Sequence, residues 1–160
     1  SEVGLTLACY GVGMIMGSLL ASRVVSMMPF GVAILLGPFF SVLAACVMAL
    51  SLWAPFVGVA ALSYFLFGFG PIIWTITSTT LRQSVTPNSM MGRVTAINIV
   101  AGTGARPIGA LLGGFVGEMG SDLTSLTVVV AGFGVQAIVI TFSKVRSLRS
   151  LDQARDGAND

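Results

Sequence analysis

Residues 24–81 read VVSMMPFGVAILLGPFFSVLAACVMALSLWAPFVGVAALSYFLFGFGPIIWTITSTTL, and no charged side chain interrupts them. An α-helix rises about 1.5 Å per residue, so about 20 apolar residues cross the roughly 30 Å hydrocarbon core of a bilayer. This stretch is too long for one crossing and right for two. The fold-back falls at Leu52-Trp53-Ala54-Pro55, where Trp53 suits an interfacial anchor and Pro55 the first turn of the next helix.

The flanking sequence repeats the pattern. No charge occurs between Glu2 and Arg23, or between Asp122 and Lys144, which predicts crossings over 3–22 and 123–143. Spans over 27–52 and 55–80 divide the long stretch, and a span over 92–117 contains Arg106. The expected fold is all-α, a polytopic bundle of five transmembrane helices within residues 1–146. Residues 147–160 are polar and are expected to form a cytoplasmic tail without fixed structure. Composition agrees: only 9% of the 160 residues are charged and 55% are hydrophobic, whereas a soluble domain carries about 25% charged residues. The sequence has no His, and its two Cys are Cys9 and Cys46. That removes imidazole bases and the usual zinc sets, so no metal, cofactor or enzymatic activity is expected. The two cysteines read as small apolar side chains in lipid rather than a disulfide.

Alternation of the five spans sorts the charges. The turn at Arg23, the loop from Leu81 to Arg93 and the tail fall on one side, with every basic residue except Arg106. Glu2, Glu118 and Asp122 fall on the other. Because short cytoplasmic loops collect Lys and Arg, the basic side is cytoplasmic. A multi-pass protein of the plasma (inner) membrane is expected, with the bilayer as its surroundings, the C-terminus cytoplasmic and the N-terminus extracytoplasmic. The bases are topology determinants, and no nucleic-acid partner is implied. An outside N-terminus beginning with Ser, and an odd number of helices, are read as the C-terminal piece of a longer protein or a truncated product.

Several residues stand out against this apolar background. In the first helix Gly13 and Gly17 are four apart, a spacing that lets helices approach closely in lipid. Pro38 predicts a kink in the second helix rather than a break. The third holds GFGPIIWTITSTT, with Gly68, Gly70 and Pro71 at its middle, then Trp74, Thr75, Thr77, Ser78, Thr79 and Thr80. Those hydroxyls either bond carbonyls of the preceding turn or line a watery face. Trp74, which could equally be a core-packing residue, and Thr77 are therefore candidates for a substrate path, as are Gln136 in the fifth helix and Asn98 in the fourth, which could equally hold helices together.

Arg106 is the most demanding residue. It lies 13 residues after Arg93 and 12 before Glu118, in the run GTGARPIGALLGG at 102–114. At the bilayer centre an Arg costs about 2.5–3.5 kcal/mol on the lenient insertion scale, so it should face the bundle interior or water. No Asp or Glu falls inside any span to pair with it. The counter-charge is then a carboxylate elsewhere in a longer protein, an anionic substrate, or backbone carbonyls; Pro107 frees one by leaving the Thr103 C=O without its N–H partner. The loop LRQSVTPNSMMGRV supplies Arg82, Gln83, Pro87, Gly92 and Arg93, with Pro87-Asn88-Ser89 as turn and cap.

Three stretches together resemble the major facilitator superfamily. SEVGLTLACYGVGMIMGSLLASRV is similar to the eighth of twelve helices. GFGPIIWTITSTTLRQSVTPNSMMGRVTA is similar to the tenth and its loop, with Gln83, Pro87, Gly92 and Arg93 matching the pattern. GARPIGALLGG is similar to the eleventh. The resemblance is to the C-terminal half of a drug- or siderophore-exporter type, similar to the enterobactin exporter. It implies a secondary active transporter whose two halves rock about a small-molecule site, exporting small organic compounds by alternating access. The N-terminal half of the same transporter would be the missing partner, and protons the coupling ion, although no carboxylate here could carry one. It also implies that Pro107, Gly109 and Gly113 belong to a bendable, closely packed helix, and Arg106 departs from the family pattern there. A small structural or assembly membrane protein without transport activity is the alternative.

Overall fold

The structure is a computed structural model and describes residues 2–143. Five α-helices follow one another: α1 (Glu2–Met27), α2 (Phe30–Leu50), α3 (Val57–Val85), α4 (Met91–Met119) and α5 (Asp122–Phe142). All five are long and apolar enough to cross a membrane, and the protein is an all-α, multi-pass transmembrane bundle. Lys144, Arg146, Arg149, Arg155 and the expected tail at 147–160 lie outside the described residues.

α1, α3 and α4 run past the expected apolar spans, whereas α2 falls short of 27–52 at both ends, which shifts several expected boundaries. Arg23 is not a turn: α1 continues through it to Met27 and stops before Pro29, whose backbone is extended (φ −54°, ψ 139°). Met27 thus belongs to α1, not to the second span. Pro55 lies outside α3, because Phe56 is the N-cap and the helix starts at Val57. Arg82 and Gln83 are helical rather than looped, while Gly92 and Arg93 stand in the first turn of α4. Polar residues of good helix propensity carry the helix beyond the hydrocarbon. What ends α3 is Pro87, whose ring pushes Thr86 to an extended conformation (φ −94°, ψ 122°). The Met90 N–H closes a turn on the Pro87 carbonyl at 2.9 Å, but the N-cap of α4 is Met90, with no side-chain cap from Asn88 or Ser89. Pro38, Pro71 and Pro107 all lie inside unbroken helices.

Packing is built on small residues. In lipid, apolar side chains gain little by leaving the solvent, so close backbone approach and dispersion hold helices together. α3 is the hub, with α1 on one side and α2 on the other. α5 packs on α2, and α4 packs chiefly on α5. The α1 seam is a stripe of Gly13, Gly17 and Ala21, all buried. A Cβ on Gly13 would strike the Phe65 carbonyl, and one on Gly68 the Tyr10 carbonyl, so these two backbones touch. α2 turns a second small stripe inward, Ala33, Gly37, Ser41 and Ala44 or Ala45, at helical spacing. Opposite it stand Ser63, Gly70 and Thr77, one heptad apart on α3 and all buried. Ser63 Oγ donates across this seam to the Ala44 carbonyl at 2.8 Å.

The large apolar side chains point away from these seams. Leu19, Leu111 and Phe142 are more than two-thirds exposed. In water that would be an error; in hydrocarbon it is the solvent-facing surface. Cys46 is exposed and Cys9 half-buried, and both are free thiols.

Candidate functional site: a cleft shared by five helices

The row α1–α3–α2–α5–α4 curves, so that its two ends border one cleft of about 1050 Å³. Every helix contributes a wall. Tyr10 enters from α1, and Pro38 and Ser41 come from α2. α3 supplies Tyr64 and Trp74, α4 supplies Arg106 flanked by Ala105, and α5 supplies Gln136. The cleft thereby gathers three of the polar residues singled out from sequence, carried on three different helices. The Phe67 and Phe133 rings also border it and meet at 5.4 Å between centroids, bridging α3 to α5.

Local structure explains each placement. Trp74 lies where α2 presents Gly37, whose missing side chain leaves room for the indole stem; a Cβ there would come within 2.9 Å of Trp74 Cγ. Gly70 likewise makes way for Phe40, whose ring sits edge-on to Phe69 at 5.2 Å. Arg106 is near the middle of the 29-residue α4, about 20 Å from either end at 1.5 Å per residue. It is exposed, as are its neighbours along α4 from Ala96 to Phe115. Between Glu2 and Glu118 the sequence holds no carboxylate side chain. Among the described residues, no protein group forms a hydrogen bond or ion pair with the side chains of Tyr10, Tyr64, Trp74, Arg106 or Gln136.

Other candidates are placed elsewhere. Thr77 is fully buried in the α2–α3 seam, and its hydroxyl donates to the Ile73 carbonyl. Thr75, Ser78 and Thr80 do the same one turn back, to Pro71, Trp74 and Ile76. These hydroxyls satisfy their own helix rather than a watery face. Asn98 is exposed on α4 and is not part of the cleft lining. A Cβ on Gly13, Gly17 or Gly70 would strike a neighbouring helix, and Pro71 borders the cleft. A Cβ on Gly109 or Gly113 would meet nothing within 4 Å among the described residues. The reason is that α4 touches the bundle mainly through α5. Near the basic end, Arg82 Nε is buried without a hydrogen-bond partner among the described residues.

Tyr10, Tyr64 and Ser41 escaped the sequence reading. A Tyr in a span was a usable signal, since its hydroxyl needs a polar neighbour. Ser41 carried none beyond its place in the small stripe, and its hydroxyl donates to the Gly37 carbonyl at 3.0 Å.

The family described as transmembrane secretion effector, a major facilitator family, matches residues 1–158. No curated protein and no solved structure matches the chain.

Proposed function

Because the chain belongs to the transmembrane secretion effector family of major facilitator transporters, we propose that it forms part of a secondary active transporter exporting small organic compounds. The cleft is its portion of the substrate path, opened alternately to the two sides of the membrane. One observation carries this reading: Arg106, Trp74 and Gln136, from three separate helices, border a single cleft within the membrane-spanning region. Structural proteins have little use for such a convergence, because polar groups in lipid are costly unless they pair or face water. The volume suits a drug-sized molecule, for which pockets of about 300–1,000 Å³ are usual.

The same reading makes the chain the C-terminal half of a twelve-helix transporter of the drug or siderophore type, similar to the enterobactin exporter. An N-terminal half would face the cleft across α4 and α1, and protons would be the coupling ion. The basic ends at Arg23, Arg82 and Arg93 favour a cytoplasmic location in the inner membrane. A carrier is favoured over an enzyme because the cleft lining offers no Asp, Glu, Cys or His as base, nucleophile or ligand.

Efflux of a fluorescent amphipathic dye from energised cells carrying the full-length gene product tests the proposal. Trp74→Ala and Gln136→Ala should each slow efflux by about tenfold, a loss of roughly 1.4 kcal/mol, with insertion unchanged. Efflux indistinguishable from wild type in both variants would overturn the role of the cleft.

A further inference from the structure

The cleft's polar lining is unbalanced toward donation. Arg106 brings five N–H donors and no acceptor, and the Trp74 indole brings a donor alone. Gln136 adds two donors beside one acceptor, and the Tyr10 and Tyr64 hydroxyls can each donate. Ser41 has already given its hydrogen to Gly37. Among the described residues none of the other five side chains is hydrogen-bonded or ion-paired within the protein. With this surplus comes one formal positive charge, since among the described residues Arg106 is the only base in the lining and no carboxylate accompanies it. The remaining wall is apolar or aromatic, from Phe67, Phe133 and Met48.

From this we infer that the cleft binds an amphipathic organic monoanion: a carboxylate or comparable acceptor group held by Arg106, on an aromatic or aliphatic body seated against Trp74, Phe67 and Phe133. The inference rests on the reading of the cleft as the substrate path and adds the charge and number of charges of the ligand. A cation would meet the guanidinium with no carboxylate among the described lining residues to offset the repulsion. A polyanion would find one base only. An alcohol would use the donors but leave the guanidinium unneutralised in a medium where that is expensive. Lipid headgroups share the anionic chemistry, but Arg106 lies about 20 Å along α4 from either end, deeper than a headgroup sits.

The test uses the full-length protein in phosphatidylcholine nanodiscs, titrated by calorimetry with three isosteres: 1-naphthoate, 1-naphthylmethanol and 1-naphthylmethylammonium. Naphthoate should bind at least about tenfold more tightly than the alcohol, and the ammonium most weakly. Arg106→Gln should bring the naphthoate-to-alcohol affinity ratio to within about twofold of unity, whatever it does to either affinity alone, and Arg106→Lys should keep part of the preference. The wild-type comparison needs no variant, so it stands even where Arg106→Gln fails to fold. Equal affinity for all three compounds, or a preference that survives Arg106→Gln, would overturn the inference and place the answering charge within the protein. Loss of naphthoate binding in phosphatidylglycerol discs would overturn it too, by making a lipid headgroup the occupant. Dye efflux without a naphthoate preference sinks this inference but leaves the transport reading intact. A naphthoate preference with no efflux of any compound does the reverse.

Discussion

Gly37 of α2 lies directly against the Cβ and Cγ of Trp74 on α3, so the indole at the cleft wall is positioned by the absence of a side chain on the neighbouring helix. Adding a methyl at Gly37 must move Trp74 or part the two helices. Overpacking of this kind costs about 1–3 kcal/mol. Gly37→Ala should therefore lower the thermal midpoint of the full-length protein and shift the Trp74 fluorescence maximum. An unchanged melt and spectrum would mean that the two helices are not in contact here.

The glycines divide into those in seams and those facing open space. Gly68→Val should destabilise by about 1–3 kcal/mol, because its Cβ would meet the Tyr10 carbonyl. Gly109→Ala should be neutral or stabilising by about 0.5–1 kcal/mol, the usual gain of Ala over Gly inside a helix. Thermal denaturation of both variants in detergent separates the two classes. A loss at Gly109 as large as that at Gly68 would show another segment packed against α4.

Ser63 donates from one helix to the Ala44 carbonyl of another, and both residues are fully enclosed. Hydrogen bonds between helices in membranes contribute about 0.6 kcal/mol on average. Ser63→Ala should cost about that much, with Ser63→Val costing more because it adds bulk to the seam. Unfolding titrations in mixed micelles can resolve the order of the two variants, and the reverse order would contradict the packing.

Cys9 and Cys46 stand on α1 and α2, helices that hardly touch because α3 separates them. Oxidation with copper phenanthroline should leave both as thiols, read as full alkylation by a membrane-permeant maleimide afterwards. Protection of both together would require α1 and α2 to be neighbours.

Much of this architecture was legible in the spacing of charges. A bilayer imposes one length on every crossing, so gaps between charged residues translate into helices with little ambiguity. The ends were less legible, because a helix does not stop where the hydrocarbon does. Arg23, Arg82 and Gln83 remain helical, and it is Pro29 and Pro87 that end α1 and α3. The packing role of Gly13 and Gly17 was visible as a four-residue spacing, yet the equivalent α2 stripe through Ala33, Gly37 and Ser41 went unread, since alanine in an apolar run carries no contrast. In the cleft, Arg106, Trp74 and Gln136 stood out because polarity is rare in these spans. Thr77 stood out for the same reason but spends its hydroxyl on Ile73, a choice between inward and outward bonding that composition does not encode. The glycines of α4 meet open space among the described residues, and a run of glycine in sequence does not say which neighbour, if any, it lies against.

The uneven seams have a mechanical consequence. Sliding α3 would tear two tight backbone interfaces at once, whereas α4 hangs on the rest of the bundle mainly by α5. The guanidinium of Arg106 therefore rides on the rod least tethered among the described residues, so the width of the space in front of it can vary while the aromatic wall opposite keeps its shape.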